Sequence, residues 1–511
     1  MKKIAFLLSL SLIFISSCET DFELDEKVYS NISPSNFYKS SADADAAIAA
    51  IYNAFSRTVS LWDFGLSTTA GTAGHPYFIG RVGWRNIFNN YTVTASDGLC
   101  LPRSWNPLYQ GIFRANVALA NMEGAEFAAN EQADIDKFIG EAKYLRAWSY
   151  FHLTQLFGNV PMPLAPAGSI AEANLPASPR ATVYAQIVSD LQAAEAGLPN
   201  TRTGSEKGRP NAGSAKFLLG KVYLTMAGAQ VNDPSAMQLA HTTLKDLIDN
   251  ASTYGFELLP SYADAIYIDN NAERVFAIQQ TQAVSGQGTA GTFVWGGIGS
   301  TDAGVPRGQA HGGWTCEFYD MFDATDTRRD VTMLWEYEHF TTGELTYFGG
   351  ESIGKEPGTV TCDNQTWGIH MNKFKDADQG CCDGDPDVLY YRFSDALLMF
   401  AEAENSINGP TDTAYEYINM VRERGGANAL VPGSHTQAEF AEAMFNERLF
   451  EFTFECMALY DTRRLGKVAE VIAQNPLAQQ NGTTYSPYME VWPIPIAEIN
   501  ANSELSQNEG W

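Results

Sequence analysis

The 511-residue chain carries 60 Asp and Glu against 33 Lys and Arg, a formal net charge of −27 at pH 7. A surface this acidic is repelled by nucleic-acid phosphates and anionic headgroups, which excludes partners read through those charges. With 45% hydrophobic and 18% charged residues, the composition is that of a globular protein, and the length allows a large core.

Lys2 and Lys3 precede an apolar run from Ile4 to Ile15, and Ser16 and Ser17 lead into Cys18. Charged, apolar and small residues in that order read as a secretory signal, and the run is shorter than the roughly 20 apolar residues a bilayer-spanning helix needs. Ile15-Ser16-Ser17-Cys18 resembles the bacterial lipoprotein box, with Ile where Leu is usual. Residues 1–17 are therefore expected to be a lipoprotein signal peptide, with Cys18 the lipidated N-terminus, held to a membrane at about 0.8 kcal/mol per buried methylene. A plain signal with an incidental cysteine is the alternative. Residues 18–32, with Glu19, Asp21, Glu23, Asp25 and Glu26, bury too little apolar surface to fold alone and read as an acidic tether.

Amphipathic helices follow. Apolar residues recur at helical spacing in 41–57, 103–122, 131–157, 180–198 and 210–228; Gly158 and Pro161 supply the stop after the third. They read as stacked helix pairs, without a clean internal sequence repeat. From about 255 to 386 the chain is rich in Gly, Thr, Tyr and Trp, longer than an ordinary loop and typical of a functional insertion. Helical pattern returns at 387–407, 411–424 and 437–473, and 474–511 contains "WPIPIAEI", whose prolines favour an extended closing segment. The predicted fold class is mostly α: a tetratricopeptide-like helix-pair scaffold over about 33–254 and 387–473, with an irregular, loop-rich second part.

Six cysteines follow Cys18: Cys100, Cys316, Cys362, Cys381, Cys382 and Cys456. An exported chain can oxidise them, and Cys362 with Cys381 or Cys382 would staple a loop, although spacing does not choose the pairing. Cys456, within the helical pattern "EFTFECMALYD", is expected to be a buried free thiol. Asp383, Asp385 and Asp387 in "CCDGDPD" resemble part of a calcium loop but lack its twelfth-position Glu, so Asp385-Pro386 is expected to cap a following helix. No cofactor is expected, and a structural calcium elsewhere stays open.

Eight strings, in order along the chain, resemble the starch-utilisation-system D family of surface glycan-binding lipoproteins of Bacteroidetes. They are "WNPLYQGIFRANVAL", "EAKYLRAWSYFHLTQLFGNVPMP", "PRATVYAQIVSDLQAAEAGLP", "GRPNAGSAKFLLGKVYLTMAG", "DPDVLYYRFSDALLMFAEAENSING", "AYEYINMVRERGGA", "NERLFEFTFECMALYDTRRLG" and "VWPIPIAEINANSELSQNEGW". The resemblance spans 33–511 and implies a protein without catalysis, anchored by lipid at the outer face of the outer membrane. It would capture an oligosaccharide and act as a lid on a TonB-dependent transporter. The acidic residues after Cys18 are similar to the family's export signal. Arg146, Arg392, Arg422, Arg424, Glu447, Arg448, Glu451, Asp461, Arg463 and Arg464 lie in these strings and read as interhelical ion pairs, hence scaffold.

The sequence has no G-x-S-x-G, H-E-x-x-H or phosphate-binding glycine loop. A glycoside hydrolase needs only two suitably spaced carboxylates, so that class remains an alternative, as does capture of peptides or other nutrients. Sugar binding asks for aromatic faces beside groups that read hydroxyls, placed on loops. Two stretches qualify: residues 61–91, with Trp62, Asp63, Tyr77, Phe78, Trp84, Arg85 and Asn86, and residues from 293 to 314, with Trp295, Asp302, Arg307, Gln309 and Trp314. Trp84 and Trp295 are the preferred platforms; Trp314 can equally anchor packing, and Trp105, Trp148 and Trp492 read as core. The overall acidity favours a neutral glycan such as a glucan.

Overall fold

The computed structural model describes residues 37–55, 65–80, 83–281, 283, 311–334, 336–338, 345–347, 369–373 and 384–511. Its scaffold is a succession of packed helices: α1 (Ser41–Asn53), α2 (Gly83–Asn89), α3 (Cys100–Met122), α4 (Gln132–Phe157), α5 (Arg180–Gly197), α6 (Ala212–Ala227) and α7 (Ser235–Asp249). After the loop-rich part come α8 (Phe393–Asn408), α9 (Asp412–Gly425), α10 (Gln437–Glu451), α11 (Ala458–Arg464) and α12 (Val468–Gln474). Each long helix packs on its sequence neighbour, α3 on α4, α4 on α5, α5 on α6 and α6 on α7, and α7 then meets α8. This is the helix-pair stack the periodicity predicts.

Local chemistry starts and stops the helices. Ser40 and Asp43 form a reciprocal capping box at α1, and Thr436 and Glu439 another at α10. Gly426, with φ of +88°, ends α9. Helix α4 is buried at every position from Tyr144 to Phe157, the signature of a helix surrounded by others rather than lying on a surface. Trp148 at its centre meets Phe55, Phe276 and Tyr390 edge-on, so helices and strands share one core.

Charged residues join the elements inside that core. Arg146 on α4 forms a two-toothed pair with Asp190 on α5 (2.7 and 2.8 Å) and donates to Asn116 on α3 (2.8 Å). A larger cluster centres on Glu451, whose carboxylate receives Arg328 (3.0 Å), Arg392 (2.6 Å) and Arg424. Arg392 also reaches Glu273 (2.7 Å) and Glu455 (2.9 Å). Arg448 holds Asp395 and Asp461, Arg464 holds Glu402 and Asp461, and Arg422 meets Glu447. Arg463 departs from the ion-pair expectation. It donates to the carbonyls of Gln155 and Leu156, the last turn of α4, and lies over Trp492 at 4.5 Å, so it caps a helix C-terminus instead.

Two elements differ from their periodicity. Residues 388–392, expected in a helix, form strand β8 paired with β2 (Arg274–Ile278). Asp385-Pro386 therefore caps no helix; the neighbouring Asp387 instead pairs with Arg274 (2.9 Å) and accepts the Gln280 N–H (3.0 Å). The run 437–473 is three helices, broken where Phe454 and Cys456 take φ of +66° and +58°. The Cys456 thiol is free and buried as expected, outside any helix, and donates to Leu66 O (3.4 Å). Cys100 is also buried, whereas Cys316 is disulfide-bonded to a partner outside the described residues, where Cys362, Cys381 and Cys382 lie.

The loop-rich part is anchored by small sheets. Strands β1 (Phe78–Gly80), β3 (Gly312–Trp314), β7 (Ile369–Met371) and β4 (Met333–Leu334) form one antiparallel sheet in the order β1-β3-β7-β4, and β5 (Glu336–Glu338) pairs with β6 (Leu345–Tyr347).

Candidate functional site

The described parts of the two stretches selected for their aromatic and hydroxyl-reading residues meet in one strand pair. Strand β1 comes from the first and β3 from the second, in the register Phe78↔Trp314, Ile79↔Gly313 and Gly80↔Gly312. Residues more than 200 positions apart in sequence thus meet as backbone neighbours. Glycine makes the approach close: a Cβ on Gly312 would stand 2.4 Å from Phe78 Cζ, and one on Gly80 would stand 2.0 Å from Asn86 Oδ1.

The base of this pair is rigid. Trp314 packs edge-on against Phe78 (5.5 Å between ring centres) and near Phe454 (6.0 Å), and it is 1% exposed. Its ring, and that of the buried Phe78, is withdrawn from the surface, which corrects both as platforms for a sugar. Tyr77 is half-buried and stacks on Phe318 at 5.7 Å and 16°. His75 meets Phe318 edge-on at 4.7 Å, and burial pushes its imidazole down to about 3, so it stays neutral. Asn475 donates to Phe78 O (3.2 Å), tying the strand to the segment after α12. Phe318 and His75 are the supports that periodicity does not reveal, because their partners come from distant parts of the chain.

At the Gly80↔Gly312 end, the chain turns into α2, which carries Trp84, Arg85 and Asn86 on its first turns. Asn86 Oδ1 is buried and has no hydrogen-bond partner among the described residues, an acceptor left open beside the strand end. Trp84 and Arg85 are placed by their backbone on α2, and their side chains lie outside the description, as do residues Trp62, Asp63, Trp295, Asp302, Arg307 and Gln309. Among the described residues there is no cluster of His, Cys, Asp and Glu suited to a metal ion. Trp105, Trp148 and Trp492 are core residues as expected, at most 3% exposed.

A stack of helix pairs on which segments distant in sequence pair into one small sheet defines the class of fold. Comparison with known proteins gives that class its family. A family model described as the SusD family matches residues 277–511, and one described as starch-binding associating with outer membrane matches residues 23–224. The chain belongs to the SusD/RagB family. It is similar to a SusD-like protein of Formosa agariphila, 27% identical over 99% of both chains. It is also similar to the starch-binding protein SusD of Bacteroides thetaiotaomicron, 25% identical over 73% of this chain and 72% of that one. A laminarin-binding SusD-like protein of solved structure is 26% identical and superposes with a TM-score of 0.74, covering 93% of this chain and all of the other. Among the described residues no helix is long and apolar enough to cross a membrane.

Proposed function

We propose that this protein is a non-catalytic, cell-surface glycan-binding lipoprotein that captures a neutral oligo- or polysaccharide, such as a glucan, and delivers it to a TonB-dependent outer-membrane transporter. The observation that carries the reading is the β1–β3 pairing, which joins the two aromatic-rich stretches. Trp84 and Trp295, with Trp62, Tyr77, Arg85, Asn86 and Arg307, are the residues assigned to the sugar, indoles as platforms and amide and guanidinium groups on hydroxyls. Support for the ligand class comes from the laminarin-binding relative, laminarin being a neutral glucan, and from the starch-binding one. The net charge of −27 points the same way, since it disfavours polyanionic polymers. Cys18 carries the lipid, and the acidic tether gives the domain the reach to open and close over the transporter.

Affinity electrophoresis of residues 19–511 through gels carrying starch, laminarin, other neutral polymers and anionic polysaccharides tests this, with reducing ends measured in the same mixtures. Retardation by a neutral polymer without new reducing ends is the expected result. New reducing ends would overturn the non-catalytic reading, and retardation by none of the polymers would overturn glycan capture. In cells, deleting the transporter should leave glycan binding intact and abolish uptake; undiminished uptake would sink the delivery role.

A further inference from the structure

A polar cavity lined by residues outside both aromatic stretches lies where the closing segment folds back over the ends of α4, α5 and α6. It has a volume of about 900 Å³, within the range of small-ligand sites, and its walls include Arg180, Gln230, Tyr485, Tyr488 and Glu490. An adjoining cavity of about 570 Å³ shares Tyr488 and Gly510 with it and adds Thr92, Thr94 and Trp511. That second space begins at Tyr91, two residues beyond the end of α2.

The walls are built but not fully satisfied. Tyr485 Oη donates to Glu490 Oε1 (3.1 Å), Gln230 Nε2 donates to the Glu490 carbonyl (2.8 Å) and Arg180 Nη1 donates to the Gln230 carbonyl (3.2 Å). This chain of contacts links the polar side chains along the wall. Glu490 Oε2, Gln230 Oε1 and Arg180 Nε nevertheless have no partner among the described residues. Those three atoms are themselves covered, so what the cavity meets is the remaining polar surface of these side chains, a lining of both signs.

The signs of those groups select its chemistry. An anion would meet the Glu490 carboxylate, and a cation would meet Arg180 with the buried Arg463 behind it, whose charge acts on Glu490. A hydroxyl both donates and accepts and so suits a wall that offers an amide, a carboxylate and a guanidinium side by side. Tyr485, 37% exposed, and the half-buried Tyr488 add aromatic faces beside these groups, the combination a pyranose uses. We infer that the cavity bounded by Arg180, Gln230, Tyr485 and Glu490 is a second binding site, for a neutral polyhydroxylated ligand of one or two sugar residues.

The test is saturation-transfer NMR of residues 19–511 with D-glucose, D-galactose, D-mannose, D-xylose, maltose and laminaribiose, with sulfate and lysine as charged probes. Tyr485 is surface-exposed, so Tyr485→Ala is expected to fold with an unchanged thermal transition, and Glu490→Gln keeps the shape of the wall. The expected result is saccharide binding that persists in the Trp84→Ala, Trp295→Ala double variant and weakens at least tenfold in Tyr485→Ala and Glu490→Gln. Saccharide binding that vanishes in the double tryptophan variant and survives both cavity variants would overturn the second site while supporting the first. Binding of sulfate or lysine in place of any sugar, or no binding by the double variant at all, would equally overturn it. The two sites are thus lost by different substitutions, and failure of one leaves the other standing.

Discussion

Phe78 and Trp314 occupy directly opposed positions on β1 and β3, with ring centres 5.5 Å apart and planes at 77°. That edge-to-face contact is the floor on which the two aromatic-rich stretches meet, so stability and ligand capture are separable by position. Residues in the floor should act through folding; the residues assigned to the sugar should act through affinity.

Trp314→Ala is expected to lower stability by about 3–5 kcal/mol, the range for deleting a fully buried aromatic ring. Trp84→Ala and Trp295→Ala are expected to shift the urea midpoint little while removing most glycan affinity. Urea titration and affinity electrophoresis on the same preparations separate the two classes. A large stability loss in Trp84→Ala, with affinity retained, would reassign it to packing.

Gly312→Ala adds one methyl group, and its Cβ would stand 2.4 Å from Phe78 Cζ. The Phe78 ring is packed under Trp314 and has nowhere to go, so overpacking is expected to cost about 1–3 kcal/mol. A Phe78→Leu change in the same chain should recover part of the loss, because it removes the clashing atom; no recovery would show that the strand pairing, not the ring, is what suffers.

Glu451→Gln keeps the shape of the side chain and removes the charge shared by Arg328, Arg392 and Arg424. All four side chains are covered from solvent, and together these arginines hold the Glu451 carboxyl well below its usual range against the opposing effect of burial. Leaving three guanidinium groups short of a counter-charge is expected to cost about 3–5 kcal/mol. Thermal denaturation of the variant measures it, and a change under 1 kcal/mol would show that Glu273 and Glu455 suffice for Arg392 and Arg424, and Asp326 and Glu447 for Arg328.

Acid should unfold the protein in two stages. Burial holds His75 and His152 at about 3 rather than near 6.5, with the Lys221 charge adding to the effect at His152. The unfolded chain therefore takes up protons first. The stability tied to the two neutral rings is complete above about pH 6.5 and falls toward pH 3, by about 1.4 kcal/mol per pH unit for each histidine. Asp461 follows lower: burial alone would raise it, but Arg448, Arg464 and Lys221 outweigh burial and hold it at about 2. Its contribution is complete above about pH 4 and lost as the pH falls to about 2. Urea midpoints between pH 8 and pH 3 should show the upper stage, with a shallower slope in His75→Gln; a flat profile from pH 7 to pH 5 would contradict it.

The N-terminal helices are legible because one face repeats: α3, α4, α5 and α6 fall within a few residues of the ranges their apolar spacing marks. Strand β8 is not, because Val388, Leu389, Tyr390 and Tyr391 are all buried, and a continuous apolar run looks alike in a buried strand and a buried helix. The break between α10 and α11 hides for another reason. Phe454 and Cys456 adopt positive φ with no Gly or Pro to announce it, held there by core packing. Helix α7 is not singled out either, since Ala236, Ala240, Leu244 and Leu247 form a sparse stripe. At the site, composition finds the two stretches but not their meeting, which depends on strand pairing across more than 200 residues.

The return of the closing segment has a consequence for how the chain is made. Trp492 donates its backbone N–H to Leu156 O (2.7 Å) and its indole N–H to Thr69 O (3.0 Å), and Ile496 N–H reaches Ala95 O (2.9 Å). Three places in the first third of the chain thus wait for residues near its end. A ribosome that stalls before Trp492 releases a polypeptide in which the Leu156, Thr69 and Ala95 carbonyls lack these donors and the end of the central helix is left uncovered, a substrate for proteases. Completeness of translation is read out as folding, so a partial copy is removed before it can occupy a place meant for a working one.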